Sequence, residues 1–110
     1  MQITEAKLYR SQVINLLLEA SLPVSDLTEA LNDFFVVLHK NNVAGVAGLE
    51  VYGKYGLLRS LAVHKNMRNK GIAADLIITV ETLALKMGLS GLFLLTETAA
   101  DYLKIRVMCK

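Results

Sequence analysis

The apolar residues near the start of the chain recur at the three- and four-residue spacing of one helix face. They are Tyr9, Val13, Leu16, Leu17 and Ala20. The spacing predicts an amphipathic first helix, with Thr4 as its cap and Pro23 as the residue that stops it. Ser25, followed by two acidic residues, predicts the start of a short second helix.

In the middle of the chain the apolar positions form short dense runs, which indicate strands. "FFVVLHK" predicts one strand, the Asn41-Asn42 pair a tight turn, and "VAGVAGLEVY" the partner strand of a hairpin. A second turn lies between Gly53 and Gly56, and "GLLRSLAV" follows as a third strand. The pattern predicts an antiparallel meander, in which Arg59 is a polar residue among apolar neighbours.

Beyond residue 70 the helical spacing returns, and Gly88 closes the apolar stripe. The stripe comprises Ile72, Ala73, Leu76, Ile77, Val80, Leu83, Ala84 and Met87. "GLFLLTET" then predicts a last strand, and "AADYLKI" the beginning of a final helix. The order predicts an α+β domain with a mixed sheet, in which one strand-helix-strand crossover adds a parallel pair to the meander.

Composition limits the class of protein. A length of 110 residues predicts one domain, 1–110, and 54% hydrophobic with 20% charged residues is a globular balance. The sequence has neither a signal-peptide pattern nor an apolar run long enough to span a membrane, so we expect a cytoplasmic protein. A single cysteine, Cys109, excludes an internal disulfide and a CxxC metal site. His39 and His64 stand apart, and we expect no metal.

Positive charge is concentrated in one stretch although the net charge is only +2. No acidic residue occurs between Glu50 and Asp75. The cations in that interval are Lys54, Arg59, Lys65, Arg68 and Lys70. A nucleic-acid-binding module is one interpretation, but the loop offers no aromatic platform for bases, so we expect no nucleic acid partner. A small anionic ligand is the better match.

The features of a phosphate cradle meet where this basic loop enters the following helix. The first N–H groups of a helix have no partner within the helix, and its dipole adds positive potential there. Gly71 lets a ligand approach the backbone, Ala73 is also small, and Arg68 and Lys70 flank the place with charge. These features favour a phosphate or pyrophosphate site. The alternative is an ordinary loop with solvated cations.

The segment "RNKGIA", residues 68–73, resembles the acetyl-CoA signature Gln/Arg-x-x-Gly-x-Gly/Ala of the GNAT superfamily of acyltransferases. It follows the strand "LLRSLAV" and leads into a long amphipathic helix, as in that family. The resemblance runs from about residue 3 to 105. "LPVSDLTEAL" and "GLEVYGKYGLLRSLAV" are most similar to the GNAT proteins encoded beside arsenic-resistance genes. The resemblance implies a GNAT-like acyl-CoA N-acyltransferase fold, with acetyl-CoA as co-substrate.

The resemblance also implies roles for individual residues. The strand backbone of Leu61, Ala62 and Val63 would pair with pantetheine, and an N–H of that strand would polarise the thioester carbonyl. A small primary amine would attack the thioester directly, without an acyl-enzyme. The backbone amides that would grip the CoA pyrophosphate belong to Met67, Arg68, Asn69, Lys70, Gly71, Ile72 and Ala73.

Proton transfer has fewer candidates. Glu50 and Glu97 lie on or at the end of predicted strands and are candidate bases, although strand glutamates are more often simply solvated. Arg59 either turns toward the cleft or pairs with Glu50 across the sheet. Tyr102 is the candidate acid for the departing thiolate, because "YLKIRV" partly matches a family segment written Tyr-x-x-Leu-Gly-Phe. The alternative is a packed or exposed tyrosine with no role in catalysis.

The GNAT resemblance further implies that strands usually follow the point at which this chain ends, so we expect a C-terminally short domain. A short domain would leave the edge of "GLFLLTET" open, and an open apolar edge invites pairing with another chain. We therefore predict a homodimer through the last strand and tail, or otherwise a monomer whose tail folds back. The same shortness supports an alternative function, that of a non-catalytic CoA-binding or assembly module.

Overall fold

The computed structural model describes residues 2–22, 24–25, 27, 31–95 and 103–107. One mixed sheet has its six strands in sequence order, with antiparallel neighbours everywhere except between the fourth and fifth strands. The predicted α+β mixed sheet with one crossover is confirmed. No helix in these ranges is long and apolar enough to cross a membrane. The strands are β1 (Gln2–Glu5), β2 (Phe34–His39), β3 (Asn42–Tyr52), β4 (Tyr55–Val63), β5 (Gly91–Leu95) and β6 (Leu103–Val107), and the helices are α1 (Arg10–Glu19) and α2 (Ile72–Lys86).

The start of the chain corrects the sequence prediction. Thr4 lies inside β1 and caps no helix, and α1 begins only at Arg10 after a 3-10 turn. β1 is an edge strand paired with β2, and Ile3 is its only apolar residue. A strand held mainly by backbone pairing leaves no alternation of apolar side chains, so the sequence pattern could not reveal it.

Both predicted hairpin turns are present, and the first is one residue earlier than expected. His39 pairs with Asn42, so Lys40 and Asn41 form the two-residue loop, with φ values of 52° and 65°. Two consecutive positive φ angles are the mark of a type I′ turn, whose twist matches that of the strands it joins. Both hairpins belong to the predicted meander.

A helix covers each face of the sheet, so there are two apolar layers. Gly45 allows close packing in one of them, because a Cβ there would lie 2.8 Å from Ile72 Cγ2 on α2. The α1 layer contains Val13, Leu16, Leu17, Leu31, Phe34, Val36, Leu38, Val43, Val46 and Ala62. The α2 layer contains Val37, Ala44, Ala47, Leu49, Leu58, Ile72, Leu76, Val80, Ala84, Leu89 and Leu92. Met87, predicted as part of the helical stripe, is instead 46% exposed just after α2.

The end of the chain corrects two further predictions. Residues 103–105 do not begin a helix but belong to β6, which pairs antiparallel with β5 from Leu95↔Leu103 to Gly91↔Val107. The edge of β5 is therefore covered by β6, whereas the homodimer prediction assumed that this edge was open. The other residues of that predicted helix, and most of the short helix predicted from Ser25, lie outside the described residues.

Candidate functional site

The sheet opens between β4 and β5. Their parallel pairing starts at Tyr55↔Gly91 and ends at Leu58↔Leu94, although β4 continues to Val63. The register between β3 and β4 shifts just beyond this point, and Ser60 has a φ of 57°. An extra residue in a strand locally bends it and increases its twist. The bulge at Ser60 therefore coincides with the place where β4 leaves β5.

Beyond the bulge, β4 presents backbone groups to the opening. The His64 N–H donates to the Ala44 carbonyl of β3 at 2.7 Å. Successive residues of a strand point their N–H and C=O groups to opposite sides. Leu61 and Val63 consequently point theirs away from β3 into the gap, whereas Ala62 points toward β3. The gap has a row of donors and acceptors with which an extended amide chain can pair.

The loop after β4 turns the chain into α2. His64 caps a 3-10 turn at Lys65–Met67 by accepting, through its side chain, from the Asn66 N–H at 3.2 Å. Two residues with positive φ follow, Asn69 at 64° and Gly71 at 79°. A Cβ on Gly71 would meet no atom within 4 Å, so no neighbouring group requires a glycine here. The glycine suits the left-handed backbone, and it leaves space in front of the helix.

The N-terminus of α2 faces the same opening. The Asp75 N–H donates to the Gly71 carbonyl at 3.0 Å, and this is the first hydrogen bond of the helix. The preceding helical N–H groups, on Ile72, Ala73 and Ala74, find no backbone acceptor in the described part of the chain. Unpaired donors at a helix N-terminus favour an anion.

One cavity of about 470 Å³ joins the β4 edge to the start of α2. Every residue predicted to bind the cofactor lines it except Lys70, which is exposed outside it. Ala74 also lines the cavity, although the sequence prediction did not include it. Its position in the first turn of α2 could have indicated it. The lining is formed by Leu61, Ala62, Val63, Met67, Arg68, Asn69, Gly71, Ile72, Ala73 and Ala74.

Arg68 brings charge to this cavity and to its neighbour. Its Nε lies 3.5 Å from the carbonyl oxygen of Val63, at the end of β4. The second cavity, about 360 Å³, lies between that strand end and α1, and Glu19 and Lys65 contribute to it. Arg68 therefore stands between two cavities that meet at the free end of β4.

The candidate base Glu50 takes part in a polar cluster near the bulge. Arg59 donates to Glu50 in an ion pair, and the Tyr52 hydroxyl donates to the other carboxylate oxygen at 2.5 Å. Arg59 Nε also donates to Ser60 Oγ at 3.1 Å. Of the two readings for Arg59, pairing with Glu50 is the one observed. Tyr102 and Glu97 lie outside the described residues.

The opened sheet, the left-handed glycine and the helix N-terminus together form a site suited to an extended ligand with an anionic end. The profile of the acetyltransferase (GNAT) family matches residues 7–106. The chain therefore belongs to the GNAT family, as the signature at residues 68–73 predicted.

Particular relatives share this fold. Rv2747 from Mycobacterium tuberculosis, solved in complex with CoA and NLQ, is 23% identical with a TM-score of 0.75, over 92% of this chain and 68% of that protein. N-acetylglutamate synthase from Neisseria gonorrhoeae, complexed with coenzyme A and L-arginine, is 17% identical with a TM-score of 0.82, over 99% of this chain and 33% of that one. At these identities the likeness shows the fold alone.

A curated relative is closer in sequence but longer. The uncharacterized N-acetyltransferase CT2212 of Chlorobaculum tepidum is 36% identical over 74 residues, which make up 66% of this chain and 48% of the relative. The chain thus spans about half the length of that protein.

Proposed function

We propose that the chain is an acetyl-CoA-dependent N-acyltransferase that acts on a small primary amine by direct attack on the thioester. The observation that carries the proposal is the single cavity shared by the free edge of β4 and the N-terminus of α2. An extended chain of amides that ends in a pyrophosphate needs backbone pairing along one wall of the cavity. At the other wall it needs hydrogen-bond donors that bind the anion. The Rv2747 and N-acetylglutamate synthase structures, both complexed with CoA, support this assignment.

The residues present fit such a ligand. The N–H groups at the start of α2 would hold the pyrophosphate, and Gly71 leaves room for its approach. The backbones of Leu61 and Val63 would pair with the pantetheine amides, whereas Ala62 contributes its small side chain and not its backbone. An N–H of this strand would stabilise negative charge on the thioester oxygen. Arg68 adds a cation between the two walls.

In the proposed reaction the neutral amine attacks the thioester carbonyl carbon. A C–N bond forms, the C–S bond breaks, the amine loses one proton and the thiolate gains one. We propose Glu50 as the proton acceptor, directly or through water, and Tyr102 as the donor to the thiolate. Proton transfer by a positioned group contributes about 10²–10⁴ in rate, so replacing either residue should be clearly measurable.

Two measurements test the proposal. Calorimetry should detect acetyl-CoA binding to the folded protein, and a thiol-release assay across a panel of primary amines should detect CoA production. Absence of binding at millimolar acetyl-CoA, with an intact folded spectrum, would reject the assignment of the cavity. A sample that binds but releases no thiol with any amine would reject catalysis alone.

One observation favours the alternative, a non-catalytic CoA-binding or assembly module. The Glu50 carboxylate already accepts from Arg59 and Tyr52, and a carboxylate held by a cation is a poorer proton acceptor. Glu50→Gln separates two roles that this residue could have, that of proton acceptor and that of partner to Arg59. A loss of kcat/KM of about 100-fold or more indicates a base, whereas a change below fivefold indicates that Glu50 only orients Arg59.

Three features stay predictions within this proposal: the cellular location, the subgroup of the family and the oligomeric state. The cytoplasmic location and the likeness to proteins of arsenic-resistance operons rest on sequence alone. The homodimer needs a revised contact, because β6 now pairs along β5, and the outer edge of β6 is where a second chain would add. Light scattering at micromolar concentration decides it, and a monomer mass rejects the dimer.

A further inference from the structure

An aromatic patch lies on the face of the sheet that also carries α1. Tyr52, Tyr55, Leu57 and Phe93 line a cavity of about 280 Å³ there. The Tyr55 and Phe93 rings are tilted against each other, with 5.7 Å between their centroids. Tyr52 and Tyr55 remain 59% and 46% exposed, and contiguous exposed apolar surface often marks a ligand-binding or interaction site.

The patch reaches the place where the sheet opens. Leu57 pairs with Glu50 across β3 and β4, and with Phe93 across β4 and β5, one residue before the β4–β5 pairing ends. Side chains two apart on a strand share a face, so Leu57 and Arg59 point the same way. The Tyr52 hydroxyl donates to Glu50, which fixes that ring between the patch and the polar cluster. Apolar and polar surfaces are therefore continuous along one face.

We propose that this patch binds the side group of the amine acceptor, and that the acceptor is a primary amine with an aromatic or bulky apolar group. The inference rests on the proposed acetyltransferase function. The group would contact Tyr55, Leu57 and Phe93, and the amino end would lie at the bulge beside Glu50. A cationic amine approaching over exposed tyrosine rings gains a further attraction. The cavity, at about 280 Å³, is large enough for an aromatic ring, since a cavity of about 150 Å³ already holds benzene.

The test compares 2-phenylethylamine with ethanolamine in the thiol-release assay. We expect kcat/KM to be at least about tenfold higher for the aromatic amine, since burying an aromatic ring yields more than this ratio. Tyr55→Ala should raise the KM for 2-phenylethylamine about tenfold and reduce the preference accordingly. Tyr55→Phe keeps the ring and should keep the preference. Val51→Ala is the matched control, because Val51 is 43% exposed on the opposite face of β3.

Calorimetry with acetyl-CoA on the same variants separates the two proposals. Variants that bind acetyl-CoA while the parent shows no aromatic preference overturn the acceptor assignment and leave the proposed function standing. Failure of the parent to bind acetyl-CoA overturns the function itself. If Tyr55→Ala instead changes the mass measured by light scattering, the patch is a contact with a second copy of the chain, and the acceptor assignment is wrong.

Discussion

Replacing Gly71 tests the cradle most directly, because its structural cost and its binding cost can be separated. Gly71 has φ 79° and ψ 8°, and a Cβ there meets no atom within 4 Å. Replacing Gly71 by another residue therefore costs only the strain of the left-handed backbone, about 1 kcal/mol of folding free energy. In a domain of this size that lowers the melting temperature by about 4–8 °C. Gly71→Gln and Gly71→Glu should lose this stability equally.

The two variants should differ in acetyl-CoA binding. If the carboxylate of a glutamate at position 71 comes within about 6 Å of a pyrophosphate at the helix N-terminus, each pair of unit charges repels by about 0.7 kcal/mol in bulk water and about 2.8 kcal/mol at an effective dielectric constant of 20. Two pyrophosphate charges double these values. Gly71→Glu should therefore bind at least about tenfold more weakly than Gly71→Gln. Near 1 M salt the difference should shrink, because screening reaches about 3 Å.

Gly53 supplies the matched control for this comparison. It lies in the turn between β3 and β4, has φ 59°, and also has no atom within 4 Å of an added Cβ. Gly53→Gln and Gly53→Glu should therefore lose similar stability and keep the parent affinity for acetyl-CoA. Calorimetry at low and high salt measures binding, and thermal unfolding measures stability. Equal affinities for Gly71→Glu and Gly71→Gln would show that no anion binds beside this residue.

Three further perturbations test the site and its support. Arg68→Ala should weaken acetyl-CoA binding about threefold to tenfold at low salt and less at high salt in calorimetry, because backbone donors remain. Leu76→Ala, at a fully buried position, should cost about 2–5 kcal/mol in urea unfolding, whereas Ile78→Ala, at a 60% exposed one, should change stability by less than about 0.5 kcal/mol. Gly45→Ala should cost about 1–3 kcal/mol by the same assay, since its Cβ would lie 2.8 Å from Ile72 Cγ2; an unchanged midpoint would contradict the close packing of α2 on β3.

The cradle could be predicted from the sequence because its determinants are local. The apolar stripe of α2, the glycine before it and the preceding basic loop are neighbours along the chain, and helix termini have the same geometry wherever they occur. The sheet meander was likewise visible in the dense apolar runs. Ala74 was missed only because the family signature ends one residue earlier.

Some features left no clear pattern in the sequence, and one signal was missed. β1 is a short segment ordered by pairing with β2, and Ile3 is its only apolar residue. In β6, Leu103, Ile105 and Val107 alternate with Lys104 and Arg106, which is a strand pattern that the helix prediction overlooked. The bulge at Ser60 lies between two short apolar runs of β4, residues 57–58 and 61–63, and no glycine or proline next to it marks its position. Its position became apparent only from the shifted register with β3 and the end of pairing with β5.

The two halves of the proposed site differ in how the chain builds them, and this difference has a consequence for engineering. The cofactor walls, residues 61–63 and 71–74, are joined by one short loop whose shape depends on the His64 cap and on Asn69 and Gly71. The aromatic patch needs β3, β4 and β5 in register, because Phe93 reaches Tyr55 only across the parallel pair. A substitution in the loop should therefore change acetyl-CoA affinity without altering amine preference, and a substitution in the patch should do the reverse.

Distant, independent sites usually contribute additively, so a double variant Arg68→Ala, Tyr55→Ala should show the product of the two single effects on kcat/KM. A marked departure from that product would mean that the bulge at Ser60 transmits changes from one half to the other.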